Sequence, residues 1–229
     1  QTLTNTDGKL EHAGTGTLTI QAGTLNGQRG QITSNGALQL TAGSFNHDGA
    51  STVAGQVPVR PTRLSNRSGE IIQTGTHAAR ISVTGTLDNT GGKIASNGDT
   101  TLSAQGLVNQ GGSVQATDAA NLDITTTAAL DNSAGGRIAA GGNASLNAGS
   151  LNNDQGQITA GSSLGASIGA DLSNVKGLIA ANGAVNLAAA NLNNAQGTVA
   201  SVHNKLDVAT RGATVNDSLT QVGFRRSQN

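Results

Sequence analysis

Residues 151–161 read Leu-Asn-Asn-Asp-Gln-Gly-Gln-Ile-Thr-Ala-Gly, and a similar phrase returns along most of the chain. Each copy opens with an apolar residue, and successive openings are separated by 19 residues (Phe45 to Leu64) to 23 residues (Leu64 to Leu87). A period of about 21 residues is typical of a solenoid, in which each repeat covers the apolar face of its neighbour. The openings are Leu3, Leu25, Phe45, Leu64, Leu87, Leu107, Leu130, Leu151, Leu172 and Leu192.

Within each copy, three short apolar stretches are separated by turn dipeptides such as Asn97-Gly98. Pairs such as Ile81/Val83 and Leu122/Ile124 are spaced two residues apart, which indicates strands with one buried face. Gly, Asn, Ser and Thr are too frequent for stable helices. We therefore predict an all-β chain in which residues 1–213 form a right-handed parallel β-helix, a solenoid of about ten coils with roughly 21 residues per coil. At about 4.8 Å per coil, the rod would be roughly 50 Å long.

The third position of the copies is an asparagine in eight cases, while Gly27 and His47 replace it in the other two. Carboxamides stacked at the spacing of the coils can donate hydrogen bonds to one another and form a ladder along the rod. A simpler explanation is that Asn tolerates the left-handed backbone of tight turns. We expect the ladder, because the position is kept while its neighbours vary. Its members would be Asn5, Asn66, Asn89, Asn109, Asn132, Asn153, Asn174 and Asn194.

A glycine follows near the sixth position, and an aliphatic residue expected to point inward comes after it. We expect the glycine to supply a positive φ where the coil bends. The glycines are Gly8, Gly30, Gly69, Gly92, Gly112, Gly135, Gly156, Gly177 and Gly197. The aliphatic residues are Leu10, Ile32, Ile71, Ile94, Val114, Ile138, Ile158, Ile179 and Val199.

The composition narrows the possible functions. The 229 residues carry a formal net charge of +0. The chain therefore lacks the excess of basic residues that is typical of nucleic-acid-binding proteins. The chain contains no Cys, so disulfides, zinc fingers and thiol catalysis are excluded. No apolar run is long enough to span a membrane as a helix. The chain starts inside a repeat and without Met, so we expect it to be an internal piece of a longer protein.

Residues that could support catalysis are scattered. The four histidines lack metal-ligand spacing, and His47 and Asp48, as neighbours on a strand, would point to opposite faces. Asp88 and Asp131 share the second repeat position two coils apart, and glycoside hydrolysis needs two carboxylates within about 10 Å. A polysaccharide lyase or hydrolase therefore stays an alternative, although the chain has no Tyr or Trp to line a sugar groove. We expect no enzyme activity, no metal and no cofactor.

Two stretches depart from the period. Residues 50–63 contain Pro58 and Pro61 together with Arg60 and Arg63, and we expect this irregular coil to bulge or loop out, because proline removes a backbone donor. It is either a tolerated irregularity or a local binding feature. Residues 214–229 are expected to be a partial coil or a frayed tail, which contains the basic stretch Phe224-Arg225-Arg226.

The phrases at residues 130–132, 136–141 and 151–161 resemble the filamentous haemagglutinin repeats of bacterial two-partner-secreted exoproteins. This group includes filamentous haemagglutinin adhesins and contact-dependent growth inhibition toxins, and the resemblance extends from Leu3 to about Ala213. It implies a secreted protein on the exterior of the Gram-negative outer membrane, exported through an outer-membrane transporter. Other regions of the parent protein would contact a receptor on a host or neighbouring cell.

We therefore expect a rigid stalk segment that presents a receptor-binding or toxin region, without nucleic-acid partners or a transmembrane segment. The main alternative is an adhesive surface, in which exposed Thr, Ser, Asn and Gln side chains bind host glycans or receptors directly.

Overall fold

The computed structural model describes residues 1–216, and the basic stretch at residues 224–226 lies outside them. The described residues form strands and turns without a helix, so no helix capable of crossing a membrane occurs among them. The strands are β1 Thr2–Thr4, β2 Lys9–His12, β3 Thr17–Asn26, β4 Gln31–Asn46, β5 Ser51–Gln56, β6 Pro58–Ser65, β7 Glu70–Gln73, β8 Ala79–Ser82, β9 Thr86–Asp88, β10 Lys93–Ser96, β11 Thr100–Ala104, β12 Gly106–Val108, β13 Ser113–Ala116, β14 Leu122–Thr126, β15 Ala129–Asp131, β16 Arg137–Ala140, β17 Ala144–Ala148, β18 Ser150–Asn152, β19 Gln157–Ala160, β20 Leu164–Ile168, β21 Asp171–Ser173, β22 Leu178–Ala181, β23 Val185–Ala189, β24 Asn191–Asn193, β25 Thr198–Ser201, β26 Leu206–Thr210 and β27 Thr214–Val215.

The strands stack in three parallel columns, one for each apolar stretch of the repeat. The opening residues form the first column, in which Leu130 is the register partner of both Leu107 and Leu151. The second column joins Ile138 to Val114 and Ile158, and the third column joins Leu102 to Ile81 and Ile124. This arrangement confirms the predicted all-β parallel solenoid of about ten coils. The right-handed sense of the coil remains the expectation of the crossover rule.

The core is a narrow column of packed aliphatic side chains, which the three columns of strands enclose. Alternation decides which side chains enter it: in β14, Leu122, Ile124 and Thr126 are buried, whereas Asp123 and Thr125 are exposed. Burial of one face by stacking is the main stabilising contribution, at roughly 25 cal/mol per Å² of apolar surface. Because each inner coil uses both neighbours to cover its core, the coils form a continuous stack.

Residues 50–63 do not loop out of the stack, so this part of the expectation is wrong, but the register of the pairing does shift along them. Both β5 and β6 pair in parallel with strands of the preceding and following coils. Toward the preceding coil, the register shifts between Ser34 and Ala37 of β4. Toward the following coil, the pairing offset grows from 19 residues at Ser51 to 22 at Pro58 and 23 at Leu64.

The stack accommodates both prolines. Pro58 is the first residue of β6, where a backbone donor is dispensable. The carbonyl of Pro61 still accepts a hydrogen bond from Thr84 N–H at 3.3 Å.

Candidate functional site

The turn after the first strand of each coil positions the asparagine at the third repeat position. In the fifth coil the chain leaves β9, passes Asn89 and turns back through Gly91 at φ +61° before it enters β10. The backbone N–H of Gly92 donates to the carbonyl of Asn89 at 3.0 Å, which closes the turn. The Asn89 side chain therefore points into the solenoid rather than toward solvent, and its exposed fraction is 0%.

The sixth-position glycines have a different role from the expected one. Of the nine, only Gly135 has a positive φ. In the other coils the positive φ falls on the residue before the glycine, as at Gln155 and Lys176. Glycine is required instead because a Cβ on Gly92 or Gly156 would overlap the carbonyl oxygen of the asparagine one coil earlier. The close approach of neighbouring coils excludes a side chain at this point.

The buried asparagines are joined amide to amide. In each step, the Nδ2 of one asparagine donates to the Oδ1 of the asparagine in the next coil, and all steps run in the same direction. The distances are 2.6 Å for Asn66 to Asn89, 2.7 Å for Asn89 to Asn109, 2.7 Å for Asn109 to Asn132, 2.7 Å for Asn132 to Asn153, 2.6 Å for Asn153 to Asn174, 2.6 Å for Asn174 to Asn194 and 2.8 Å for Asn194 to Asn216. We call this row the asparagine ladder.

Each amide in the ladder is hydrogen-bonded on all sides. Besides the step to Asn109, Asn89 Nδ2 donates to the carbonyls of Gly92 and Ser113, each at 3.2 Å. No buried side-chain nitrogen or oxygen within residues 1–216 lacks a partner. Buried amides are costly when unpaired and stabilising when satisfied, so the ladder ties consecutive coils together in one register.

His47 begins the ladder in the third coil. Its Nδ1 lies 2.6 Å from Asn66 Oδ1, and its Nε2 lies 2.8 Å from Thr52 Oγ1. Because Asn66 Nδ2 already donates to Asn89, Asn66 Oδ1 accepts, and the proton of the neutral imidazole is on Nδ1. Burial lowers the pKa of His47 to about 4, although the hydrogen bond with Asn66 and the charge of Asp48 act in the opposite direction. His47 therefore serves as a neutral ladder member at physiological pH.

Asn5 is separated from the ladder by Gly27, which has no side chain to continue it. Asn5 Nδ2 donates instead to the backbone carbonyl of Gln31 at 3.1 Å. A Cβ on Gly27 would come within 3.3 Å of Cε2 of Phe45. The ring of Phe45 packs edge-on against His47, with 5.0 Å between the ring centroids, so it takes the space beside Gly27 that an amide would need.

The candidate catalytic residues are held in structural contacts. Arg67 Nε donates to Asp88 Oδ2 at 2.6 Å, and Gln110 Nε2 donates to Asp131 Oδ2 at 2.7 Å. Partial burial raises the pKa of Asp88, but hydrogen bonds from Thr90 and Arg67 outweigh it, and the pKa lies below its ordinary value. A general acid for glycoside hydrolysis needs a raised pKa, so Asp88 does not fit that role.

The histidines and carboxylates of residues 1–216 are not arranged for metal binding. No group of three or more His, Asp or Glu side chains in this part of the chain could hold an ion. Asp48, next to His47 in sequence, accepts from the Ser65 hydroxyl at 2.6 Å rather than from the imidazole. Asp48 therefore takes part in hydrogen bonding between neighbouring coils.

These features define a class, a parallel β-solenoid whose coils are held in register by an internal row of amides. The chain belongs to the haemagglutinin repeat family, which matches residues 13–91, 74–134, 119–175 and 166–220. This match confirms the family predicted from the repeat phrases. The chain is also similar to the protein named Toxin CdiA of Yersinia pestis, with 42% identity over 67 residues, which are 29% of this chain and 2% of that protein. The chain thus spans only a small part of that relative's length. No solved structure matches it.

Proposed function

We propose that this chain is a segment of the rigid stalk of a large secreted exoprotein, which holds a receptor-binding or toxin region away from the bacterial surface. The observation that carries the proposal is the unbroken parallel stack from β1 to β27, with a buried apolar column and the asparagine ladder inside it. Since each coil contacts mainly its neighbours, adding coils lengthens the rod without changing its cross-section. Haemagglutinin repeats and the similarity to Toxin CdiA support an exoprotein of the adhesin or toxin type.

A deletion in the full-length parent protein tests the spacer role. Removal of residues 151–191 takes out two coils and joins Ser150 to Leu192, which keeps the repeat phase. We expect the shaft to shorten by about 10 Å, with only a modest loss of adhesion or toxin delivery. The matched control removes residues 151–160, which breaks the phase and should disrupt the stack. Complete loss of function in the in-phase variant, with its β-rich circular dichroism spectrum intact, would contradict the proposal.

We further propose that the chain reaches the exterior of the Gram-negative outer membrane through the transporter of a two-partner system. The absence of Cys supports passage as an unfolded chain without cross-links. Thr159 and Ala180 are register partners on adjacent coils, and a spacing of about 4.8 Å suits a disulfide. The Thr159→Cys/Ala180→Cys variant should stall under oxidising conditions and pass under reducing ones, whereas Thr159→Cys alone should be exported normally. Unimpaired export of the oxidised pair counts against threading.

An adhesive surface is the second candidate, and a shallow trough on the outer face favours it. The trough has a volume of about 400 Å³, and Ser145, Asn147, Ser167 and Asn186 line it together with small and apolar residues such as Leu187. The polar groups can hydrogen-bond to sugar hydroxyls. Binding of the purified chain to target cells, lost when Asn147 and Asn186 are both replaced by Ala, would favour adhesion over a passive stalk.

A further inference from the structure

A pocket on the outer face of the solenoid has a composition that a stalk does not require. It opens where the third, fourth and fifth coils meet, and its volume is about 220 Å³. Its lining consists of two arginines, three hydroxyl side chains and one aliphatic residue, namely Arg60, Arg80, Ser82, Thr101, Ser103 and Ile81. We call it the arginine pocket.

The register of the stack brings the two arginines together. Pro58 pairs with Arg80, and Val59 pairs with Ile81, so Arg60 lies one coil before Arg80 and two residues further along the strand direction. This offset corresponds to about 4.8 Å across the strands and about 6.6 Å along them. Both side chains are exposed on the same face. Their guanidinium groups can therefore reach one anion from two sides.

The two charges are not compensated within the protein. Arg29 forms an ion pair with Asp7 at 2.7 Å, and Arg67 forms one with Asp88 at 2.6 Å. By contrast, no carboxylate in residues 1–216 lies within ion-pair distance of Arg60 or Arg80. Two neighbouring planar guanidinium groups favour an oxyanion as the ligand, because each of them can donate bidentate hydrogen bonds to it.

The surroundings of the pocket are preorganised. Arg60 lies between Pro58 and Pro61, and the proline rings restrict the backbone on both sides of it. Ser103 Oγ donates to Ser82 Oγ at 3.1 Å, and both hydroxyls line the pocket beside the arginines. Hydroxyls at this place supply neutral donors and acceptors beside the positive charges.

We propose that the arginine pocket binds a phosphate monoester carried on a sugar. The phosphate is the favoured oxyanion because its charge of about −1.5 to −2 at neutral pH matches two arginines. The pocket has room beyond the two guanidinium groups, and the side chains of Ser82, Thr101 and Ser103 can hydrogen-bond to the sugar hydroxyls. This makes residues 50–63 a recognition feature on the shaft, independent of whether the shaft acts as a stalk.

The test is a nuclear magnetic resonance titration of the chain with glucose 6-phosphate at pH 7.5. Saturable shifts should appear at the Nε–H groups of Arg60 and Arg80 and at the amides of the pocket. In the Arg60→Thr/Arg80→Thr variant the dissociation constant should rise at least about tenfold, since each lost charge-assisted contact weakens binding. Threonine suits both places because Thr41 and Thr101 are the register partners of the two arginines.

The control variant removes two positive charges elsewhere. In the first substitution, Arg137→Gln, the new residue is the same as Gln157, the register partner of Arg137. In the second, Lys176→Gln, the new residue is the same as Gln155, which has a positive φ like Lys176. Binding by this variant should equal that of the wild-type chain. Equal weakening in both double variants, or no saturable shift in the wild-type chain, would overturn the proposal.

Glucose 6-sulfate separates a specific phosphate site from a general anion site. Raising the pH from 5 to 7.5 should strengthen binding of the phosphate, whose second pKa is about 6, and leave binding of the sulfate unchanged. Sulfate binding as strong as phosphate binding at pH 7.5 would contradict the assignment of a phosphate monoester.

Discussion

The Nδ1 atom of His47 lies 2.6 Å from Oδ1 of Asn66, in the place where the following coils have an asparagine amide. The imidazole can begin the ladder because Thr52 replaces the aliphatic residue of the second column and bonds its other nitrogen at 2.8 Å. Thr52 and His47 are both buried, with exposed fractions of 1% each. Two departures from the repeat in one coil thus satisfy each other.

Removing an amide from the middle of the ladder should destabilise the fold strongly. Asn132→Ala leaves Asn153 Oδ1 without its donor and removes one acceptor of Asn109 Nδ2, both at 2.7 Å, while Asn109 Nδ2 keeps its carbonyl partners. A buried group left unpaired costs about 1–3 kcal/mol and a lost hydrogen bond about 0.5–1.5 kcal/mol, so we expect a loss of roughly 2–4 kcal/mol in urea unfolding. Asn147→Ala, at an exposed position, should change stability by less than about 0.5 kcal/mol. Similar losses in the two variants would show that the ladder does not hold the coils together.

The stability of the chain should depend on pH through His47. Its pKa is about 4 in the folded protein, against 6.5 as the ordinary value. The unfolded chain therefore binds more protons between these values, and this contribution is complete above pH 6.5 and is lost as the pH falls toward 4. The loss is on the order of 3 kcal/mol. The measurement is urea unfolding across this range.

His47→Asn provides the control for the pH experiment, because an asparagine occupies this position in eight other copies. This variant should lose less stability than the wild-type chain between pH 6.5 and 4, while the titration of aspartates affects both proteins alike. Parallel pH profiles for the two proteins would rule out His47 as the titrating group.

A methyl group at the turn glycine should push two coils apart. In Gly92→Ala the new Cβ overlaps the carbonyl oxygen of Asn66, and overpacking of this kind costs about 1–3 kcal/mol. Gly165 is a matched control, since a Cβ there has no atom within 4 Å. Gly165→Ala should leave the thermal unfolding midpoint unchanged or raise it slightly, because it restricts the unfolded chain. A midpoint for Gly92→Ala equal to that of Gly165→Ala would disprove the close-approach explanation.

Phe45 and Gly27 should behave as a coupled pair. Gly27→Asn alone should be destabilising, because its Cβ would be 3.3 Å from the Phe45 ring and 3.2 Å from the carbonyl of Asn46. Phe45→Leu, which copies the residue of the other nine openings, makes room for the amide. In a double-mutant cycle we expect a favourable coupling of at least about 0.5 kcal/mol. Additive effects would indicate that the ring does not exclude an amide at position 27.

Much of the fold could be predicted because its determinants are local. The openings and the alternation of strands such as β14 specify which side chains turn inward, and the repeat length specifies the coil. Seven of the ladder asparagines share the third repeat position, but Asn5 has the same position and lies outside the ladder, because Gly27 separates it from the other amides. The role of Gly92 could not be predicted, because the atom that excludes a Cβ belongs to Asn66, 26 residues earlier in the sequence.

Residues 50–63 also show that local sequence predicts some features, whereas others depend on the neighbouring coils. Their two prolines indicated an excursion, yet β5 and β6 stay in the stack because neighbouring strands supply partners that the local sequence does not reveal. The sequence contained a signal for the pairing of His47 with Thr52, because His47 replaces the asparagine and Thr52 replaces the aliphatic residue of the same copy. Only the structure shows that the two side chains are in contact.

The amino-acid sequence alone establishes a parallel solenoid of the haemagglutinin repeat type, since period and alternation act within single coils. The three-dimensional stacking establishes which residues of neighbouring coils come together. It sets the direction of the ladder, its start at His47 and its interruption at Gly27, and it places Arg60 near Arg80. The physical reason is that hydrophobic alternation is read along a strand, whereas hydrogen-bond partners and charge neighbours are chosen across strands about 20 residues apart.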